Sequence, residues 1–401
     1  MKVGVVVEGG LDTGGVYQLE MAILHALKNH TSTSRHSFVV FTYAQIPDQE
    51  ILEQGALSFV KLPWPKARHR LERKVGILAQ RAPWPKWIHR IQNSLQRSMD
   101  AHEIEVAYFP CEMPDCLAIN MPFILNVWDL QHRLQPIFPE VSARGAWERR
   151  ERFYSLAIRQ AARIIAESEQ GKRYITQFYG VPEDRIVVHH LLPATFVTDD
   201  PAGGKARDTF ERFKLPLGYV FYPAQFWPHK NHAGLLYAIH LLKEQHKITM
   251  PVVFTGSDKG NLSYIKELAG KLGLAAQTHF LGLVPNQVMP GLYQRAFALV
   301  MPTYFGPTNV PPLEAFTLGC PVITSDLPGI REQMKDAALL VDPRDPSSIC
   351  NAIISLHQNP ELRSRLIDRG YAQVKQWTPA NLSKSLLSIL DDLEPIRRCW
   401  K

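Results

Sequence analysis

The sequence predicts an α/β fold with two domains, each a parallel sheet covered by helices. Three observations support this prediction. A chain of 401 residues is too long for one ordinary hydrophobic core. Short apolar runs of strand length alternate with longer segments in which apolar residues recur at helical spacing. This alternation stops at residues 197–215, a charged stretch rich in Asp and Gly, and then starts again.

An N-terminal domain is predicted over residues 1–196. Residues 2–7 form a continuous apolar run typical of a buried strand, and residues 16–28 have the apolar spacing of a helix. Another helix, with a polar face of Arg and Glu, is predicted over 146–162. The remaining predicted strands of this domain are 38–41, 57–60, 106–109, 123–127, 164–166 and 186–188.

A C-terminal domain is predicted over residues 216–380, after a linker at 197–215, and a last helix in 381–401 is a candidate to pack back on the N-terminal domain. The predicted strands of the C-terminal domain are 219–222, 252–254, 279–283, 297–300, 322–324 and 339–341. Its predicted helices are 231–245, 263–272, 312–318 and 346–356. Ligands of open parallel sheets bind at the carboxyl ends of the strands. We therefore expect the functional residues in loops that follow strands, around a cleft between the domains.

The composition argues against a membrane-spanning chain and against a disulfide framework. Apolar residues make up 45% of the chain and charged residues 21%, as in ordinary globular proteins. No run of about 18 apolar residues occurs, so no segment is predicted to span a membrane. The five cysteines are odd in number and scattered, which favours a reducing cytoplasm as the location.

The net charge of +7 is concentrated in the segment from Lys61 to Arg97. This segment has ten Lys and Arg against one acid, Glu72, so the rest of the chain is slightly acidic. Trp64, Trp84 and Trp87 lie among these charges. Such a mixture is typical of peripheral contact with the anionic inner face of a membrane or of an anionic acceptor, and equally of a solvated basic loop. These interpretations stay open. Nucleic acid is not predicted as a partner, because no binding motif accompanies the charge.

Two loops after predicted strands have residues suited to an anion. Gly14 and Gly15 lie between the first strand and its helix, where glycine lets the backbone approach a ligand and the helix N-terminus offers N–H groups. Their spacing is not that of a dinucleotide fingerprint. Lys230 precedes a predicted helix after the first strand of the C-terminal domain, where a cation can meet a phosphate. A tight turn and a surface lysine without a ligand are the alternative explanations.

Residues 302–314 carry the most informative pattern. A small polar loop follows the predicted strand 297–300, and two prolines then start a helix. Backbone amides at this helix start are predicted to face a diphosphate or sugar hydroxyls. These are the amides of Thr308, Asn309 and Val310. Glu314 is predicted in the first helical turn, where its carboxylate can accept two hydroxyl hydrogen bonds, and a helix-capping glutamate is the alternative.

The stretch PPLEAFTLGCPVITSD, residues 311–326, resembles the signature region of the family 4 retaining glycosyltransferases, which have the GT-B fold. The resemblance covers most of the chain and is strongest from Gly218 to Gln376. Supporting pieces in the same order are YPAQFWPHKNH, VFTGS, HFLGLV, LYQRAFALVMPT and ALLVDPRDPSSICNAI. The N-terminal half matches less specifically, through VWDLQHRLQP and ARIIAES. The resemblance implies two Rossmann-like domains whose parallel sheets face a cleft. The N-terminal domain would bind the acceptor, and the C-terminal domain would bind the nucleotide sugar.

The resemblance also implies an activity. Such enzymes transfer a sugar from a nucleoside-diphosphate sugar, UDP- or GDP-linked, to a glycan, glycolipid or other hydroxyl acceptor, with retention of configuration and without a metal or other cofactor. Glu314 matches the glutamate that binds the ribose hydroxyls, and Lys230 matches the basic residue that holds the diphosphate. Other implied donor contacts are Gly15 at the phosphates, Gly256 in the nucleotide cleft and Leu283 near the base.

Three positions depart from the family pattern. The first of the family's two glutamates falls on Gly306, the arginine that commonly precedes the lysine is Gln225, and the histidine before Asp129 is Trp128. We still predict Gln225 at the donor and Asp129 in catalysis. His132, three residues beyond Asp129, either replaces the missing histidine or is a loop histidine without a catalytic role.

The glycine at position 306 affects the prediction of the donor sugar, because the glutamate that the family has there usually contacts the transferred sugar. Thr308 or Asn309 are the candidates to bind sugar hydroxyls instead. Two other functions stay open. The alternatives to the transferase are a nucleotide-sugar-binding subunit that has lost catalysis and a GT-B epimerase of UDP-sugars. The carboxylates that an epimerase needs are not evident in the sequence.

Overall fold

The computed structural model describes residues 1–8, 15–30, 34–44, 57–63, 94–199 and 213–400. Three predicted features lie outside these ranges in whole or in part. They are Gly14, residues 200–212 of the linker and residues 64–93 of the basic segment.

The first sheet has seven parallel strands. They are β1 (Lys2–Val7), β2 (Ser37–Thr42), β3 (Leu57–Lys61), β4 (Val106–Phe109), β5 (Phe123–Val127), β6 (Arg163–Ala166) and β7 (Ile186–Val188). Their order in the sheet is β3-β2-β1-β4-β5-β6-β7. Strands β4 and β5 are buried along their whole length, as expected for parallel strands that helices cover on both faces.

The second sheet has six parallel strands. They are β8 (Tyr219–Pro223), β9 (Val252–Thr255), β10 (Thr278–Phe280), β11 (Ala296–Met301), β12 (Val322–Ser325) and β13 (Ala338–Val341). Their order is β10-β9-β8-β11-β12-β13. The chain builds outward from β8 to β10, returns to the other side of β8, and builds outward again from β11 to β13. The strand order therefore reverses between β8 and β11, and such a reversal opens a crevice at the carboxyl ends of the two strands.

Fifteen α-helices connect the strands within the described ranges. They are α1 (Gly15–His30), α2 (Ser94–Ala101), α3 (Gln131–Leu134), α4 (Pro139–Ser142), α5 (Ala146–Gln160), α6 (Glu169–Tyr179), α7 (Thr195–Asp199), α8 (His232–His246), α9 (Leu262–Lys271), α10 (Met289–Arg295), α11 (Val310–Thr317), α12 (Pro328–Met334), α13 (Pro346–Gln358), α14 (Pro360–Val374) and α15 (Pro379–Arg397). No helix in the described part of the chain is both long enough and apolar enough to cross a membrane.

The chain divides into two compact units. The first contains Met1–Leu130, Glu148–His190 and Thr378–Lys401, and the second contains Gln131–Trp147 and Leu191–Trp377. In the first unit, α15 packs along α1, and the Ser383 hydroxyl donates to the carbonyl of Ala26 at 2.8 Å. The second unit includes residues 131–147, which the sequence places inside the N-terminal domain.

The α/β class with parallel sheets is confirmed, and every predicted strand has a counterpart. Strand β10 is shorter than the predicted 279–283, because the chain turns at Gly282, whose φ is +68°. Several helices have no predicted counterpart, among them α6, which the Ser168 side chain caps through the amide of Gly171 at 3.0 Å.

Candidate functional site

The loops after β8 and β11 form one surface at the carboxyl edge of the second sheet. Because the two strands are neighbours, residues 224–231 and 302–309 lie side by side. The amide of Tyr304 donates to the carbonyl of His229 at 2.8 Å, and Oγ1 of Thr303 lies 3.2 Å from the same oxygen. This is the crevice at which the strand order reverses, and most of the residues predicted to bind a nucleotide follow the strands around it.

Asn231 ties three loops of this edge together. Its Nδ2 donates to the carbonyls of Pro302 at 3.0 Å and Pro343 at 2.7 Å, and its Oδ1 accepts the amide of Gly234 at 3.0 Å. The residue is buried and has a φ of +57°, a left-handed conformation that asparagine tolerates better than most residues. Asn231 is not among the predicted site residues, although asparagine is a preferred N-cap residue just before a helix.

We expect Asn231→Ala to lower the free energy of unfolding of the second unit by about 2–5 kcal/mol, since it removes a helix cap and leaves two buried carbonyls unpaired. Chemical denaturation monitored by tryptophan fluorescence measures the change. Asn359→Ala is the matched control, because the exposed Asn359 side chain caps α14 through the amide of Leu362 alone. An equal loss in the two variants would contradict the linking role of Asn231.

The structure brings together Lys230 and Asn309, both predicted at the donor site. Nζ of Lys230 lies 3.5 Å from Oδ1 of Asn309. The hydroxyl of Tyr222, which is fully buried, donates to the carbonyl of Lys230 at 2.6 Å. This hydrogen bond fixes the backbone at Lys230. The ammonium group of Lys230 lies between the loops after β8 and β11.

The start of α11 differs from the prediction. The amide of Asn309 donates to Oε1 of Gln333 at 3.0 Å, and Nε2 of Gln333 donates back to the carbonyl of Asn309 at 2.9 Å. The prediction that the Asn309 amide faces an anion is therefore wrong, because the buried Gln333 side chain occupies it. Val310 is the first residue of α11 and Thr308 is buried, and their contacts with a donor stay predictions.

Gly306 has a backbone conformation that suits glycine. Its φ is +114°, and a Cβ atom there would lie 3.2 Å from the Asn309 side chain. A glutamate at this position would be strained whatever the space around it. The departure from the family pattern at Gly306 is thus accompanied by a loop whose backbone requires glycine.

We expect Gly306→Ala to destabilise the second unit by about 1–3 kcal/mol, because a Cβ is strained at this φ. Thermal unfolding of the variant and the parent measures this. Gly270→Ala, inside α9 with nothing within 4 Å of the added methyl, is the control and should not destabilise. A Gly306→Ala protein as stable as the Gly270→Ala protein would show that the loop accepts a side chain.

Glu314 is the fifth residue of α11, so the prediction that it lies in the first turn is wrong. Its side chain is 5% exposed, and the hydroxyl of Tyr293 donates to Oε2 at 2.5 Å. Burial raises the pKa of Glu314 to about 7, and the hydrogen bond from Tyr293 only partly offsets this. The carboxyl group therefore changes its charge close to neutral pH.

Three further predicted donor residues follow strands of the same sheet. Gly256, after β9, has a φ of +137°, and a Cβ atom there would lie 2.3 Å from the carbonyl oxygen of Ala224. Oε1 of Gln225, after β8, accepts the indole N–H of Trp227 at 3.0 Å. Leu283, after β10, exposes 77% of its surface, and its contact with a base stays a prediction.

A hydrogen-bonded pair of a carboxylate and a histidine beside Lys230 has no counterpart in the predictions. Oε1 of Glu140 accepts the amide of His229 at 3.0 Å and contacts Nδ1 of the same residue. The His229 ring stacks on Phe305 with centroids 3.7 Å apart. Burial raises the pKa of Glu140, but the hydrogen bonds from His229 outweigh it and bring the pKa below its ordinary value. This pair connects residues 131–147 to both loops of the crevice.

In the first unit, Asp129 follows β5 and is paired with Arg150, whose Nη2 donates to Oδ1 at 2.7 Å. Nη1 of Arg150 also lies 3.8 Å from Glu112, which follows β4. Burial raises the pKa of Glu112 more than Arg150 lowers it. Trp128, at the position where the family has histidine, donates its indole N–H to the carbonyl of Pro110 at 3.0 Å. Asp129 and Glu112 thus share Arg150 at the carboxyl ends of β5 and β4, a grouping that the sequence does not reveal.

His132 belongs to the second unit and is fully buried, edge-on to Trp147 with ring centroids 6.2 Å apart. A ring without exposed surface cannot contact a ligand in this conformation, so a catalytic role for His132 stays a prediction without support from the geometry. Gly15 is the first residue of α1, so it lies at the predicted helix start.

One cluster of metal-ligand type occurs in the described residues, and it lies in the first unit. His36, Asp391 and Glu394 bring one ligand atom each within 4.8 Å of one another. Nε of Arg35 lies 2.9 Å from Oδ1 of Asp391 and 3.1 Å from Oε2 of Glu394. Because Arg35, Arg398 and the N-terminal amine already pair with these two carboxylates, this cluster is better explained as an ion-pair network that holds α15.

The C-terminal half of the chain resembles known glycosyltransferases in sequence. Residues 208–373 match the family model described as glycosyl transferases group 1. Over 56% of this chain the sequence is 28% identical to O-antigen chain mannosyltransferase B of Escherichia coli, and over 61% it is 24% identical to O-antigen chain mannosyltransferase RfbU of Salmonella typhimurium. The aligned parts cover 59% and 65% of those proteins, so the chain spans less than two thirds of the length of the curated relatives it matches.

The whole fold has counterparts among solved structures. Anabaena Alr3699/HepE in complex with UDP-glucose superposes with a TM-score of 0.70 over 98% of this chain and 100% of that chain. The sequences are 17% identical, so this likeness shows the fold. The predicted GT-B fold is confirmed, with its two parallel sheets of seven and six strands.

Proposed function

We propose that this chain is a glycosyltransferase that transfers a sugar from a UDP- or GDP-linked nucleoside-diphosphate sugar to a hydroxyl group of a glycan or glycolipid. The observation that carries the proposal is the 3.5 Å approach of Lys230 and Asn309 in the crevice where the strand order of the second sheet reverses. The match of residues 208–373 to glycosyl transferases group 1 supports it.

The donor residues divide by the part of the nucleotide that they suit. Lys230 offers a positive charge to the diphosphate. Glu314, on the helix that the crevice loop opens, accepts hydrogen bonds from the ribose hydroxyls. Leu283, which is 77% exposed, would pack against the base. Gly256 packs so closely against Ala224 that any side chain there would disturb the loop that carries Lys230.

We further propose the retaining chemistry of family 4, with no metal ion. The acceptor hydroxyl attacks the anomeric carbon on the face from which the diphosphate departs, and the departing phosphate oxygen takes the hydroxyl proton. One glycosidic C–O bond forms and the C–O bond to the diphosphate breaks on the same face of the sugar, so the configuration is kept. Lys230 balances the charge that grows on the leaving group, which is the work that a metal ion does elsewhere.

Mannose and glucose are the first donor sugars to test. Two relatives are named O-antigen chain mannosyltransferases, and HepE was solved with UDP-glucose. A bacterial polysaccharide is accordingly the first acceptor to test. A cytoplasmic location with peripheral binding to an anionic membrane through Lys61–Arg97 is part of the proposal, and sedimentation with anionic and neutral liposomes tests it.

The decisive assay supplies UDP- and GDP-linked mannose and glucose and measures nucleotide release with and without a polysaccharide acceptor extract. Release that depends on the acceptor supports the transferase. Nucleotide binding without turnover of any donor would favour an inactive binding subunit, an alternative that the glycine-adapted loop at Gly306 keeps open. A sugar released with altered configuration at a ring carbon would favour an epimerase.

A further inference from the structure

A cleft of about 710 Å³ lies at the carboxyl ends of β11, β12 and β13. Its walls come from residues 134–137, Tyr304, 326–327, Arg331 and 342–344, all within the second unit. None of the residues predicted to bind the donor lines it. The volume is within the range of about 300–1,000 Å³ that is usual for small-molecule sites.

The cleft carries two arginine–aspartate pairs in the same side-on geometry, in which Nε and Nη2 of the arginine face the two carboxylate oxygens. Nη2 of Arg331 lies 2.6 Å from Oδ2 of Asp326, and Nε contacts the other carboxylate oxygen. Nε and Nη2 of Arg344 lie 3.1 and 3.3 Å from the two oxygens of Asp342. Each charge is balanced within the cleft, so neither an anion nor a cation finds an unmatched partner there.

A polar but neutral ligand suits these walls. The hydroxyl groups of a sugar can donate to the carboxylate oxygens and accept from the guanidinium N–H groups, which a neutral pair still offers on its outer edges. Ile137 exposes 84% of its surface at the cleft, and Leu327 and Pro343 add apolar atoms. Such atoms pack against the C–H face of a sugar ring, while a phosphate gains nothing from them.

Hydrogen bonds connect this cleft to the donor crevice within one unit. Nε2 of Gln135 donates to the carbonyl of Tyr304 at 2.6 Å, and the Tyr304 amide donates to His229, the residue before Lys230. Asn231, the residue after Lys230, donates to the carbonyl of Pro343 at 2.7 Å. The cleft therefore borders the loop that carries Lys230.

We propose that this cleft is an acceptor subsite that binds a neutral oligosaccharide, the growing end of the glycan. The proposal rests on the transferase function, because only a transferase has an acceptor. It also assigns part of acceptor recognition to the second unit, whereas the sequence alone assigns the acceptor to the N-terminal domain.

The test follows the Ile137 methyl group by NMR in isoleucine-labelled protein during titration with neutral trisaccharides of mannose, glucose and galactose. We expect one of them to shift the Ile137 signal in a saturable way and to leave Ile396 unshifted, since Ile396 is exposed in the first unit. Asp342→Ala should weaken this binding about tenfold, the effect of losing one charged hydrogen bond.

Asp336→Ala is the matched control, because Asp336 forms a similar exposed pair with Arg369 outside the cleft, at 3.4 Å. Equal affinity in the two variants would overturn the proposal, and so would an Ile137 signal that no trisaccharide moves or that only inorganic pyrophosphate or magnesium moves. The donor assay is separate. If the proposed transferase function is wrong, no donor releases its nucleotide. If only the proposed subsite is wrong, donors are still turned over.

Discussion

Lys230→Ala is expected to lower kcat about 100- to 1,000-fold with the preferred donor, the loss typical for a single group that stabilises charge in a transition state. The diphosphate gains negative charge as its bond to the sugar breaks, so the lysine contributes more to the transition state than to the bound donor. KM for the donor should change much less than kcat. Steady-state nucleotide release over a range of donor concentrations separates the two constants.

Two variants make the Lys230 result specific. Lys230→Arg keeps the charge and should retain more activity than Lys230→Ala, although the planar guanidinium does not match the position of an ammonium group. Lys243→Ala removes a lysine of α8 whose Nζ donates to the carbonyl of Gly273 at 2.8 Å, outside the crevice, and should leave kcat unchanged. A Lys230→Ala enzyme with nearly full kcat would remove this residue from catalysis.

Glu314→Ala is expected to weaken nucleotide binding about 10- to 100-fold, since it removes hydrogen bonds to the ribose that cost about 1–3 kcal/mol when left unmade. Isothermal titration with UDP and GDP measures the affinity. Because the pKa of Glu314 is about 7, the affinity should rise with pH through neutrality as the carboxylate forms. In Glu314→Gln this rise should disappear, and a rise that persists would show that another group titrates.

The same pKa has a consequence for stability. The folded pKa of Glu314, about 7, lies above the ordinary value of 4.5, so the folded protein holds this proton more tightly than the unfolded chain. The stabilisation is complete below the ordinary pKa and is lost as the pH rises through about 7. Glu314→Gln does not titrate and keeps the hydrogen bond to Tyr293. Its Tm relative to the parent should therefore increase between about pH 5 and about pH 8.

Much of the fold could be predicted because local pattern and burial agree in parallel sheets. Strands such as β8 and β9 are covered on both faces, so their sequences are continuous apolar runs that are visible without a structure. The helix at α11 was predictable from Pro311 and Pro312, since proline favours the first turn. The helix over 169–179 escaped prediction, because its capping serine resembles any loop residue until its contacts are known.

Motifs predict the donor residues, but they do not predict the side chains that contact them. Lys230 and Asn309 are 79 positions apart in the sequence, and only the pairing of β8 with β11 brings them within 3.5 Å. The roles of Asn231, Gln333 and Glu140 depend on partners that are distant along the chain, and no local pattern reports such partners. The error at the Asn309 amide has the same origin, because the competing acceptor belongs to Gln333, on α12.

The sequence by itself determined the alternation of strands and helices, the restart after residues 197–215, the loop positions of Lys230, Gly256 and Asn309, and the helical position of Glu314. These follow from periodicity, proline and glycine, which act within a few residues. Only the tertiary structure decided that Glu314 is buried against Tyr293, that Gly306 needs its glycine conformation, and that two arginine–aspartate pairs share one cleft. Burial, electrostatic pairing and cavity shape depend on groups that folding brings together from separate strands, so a linear pattern does not contain them.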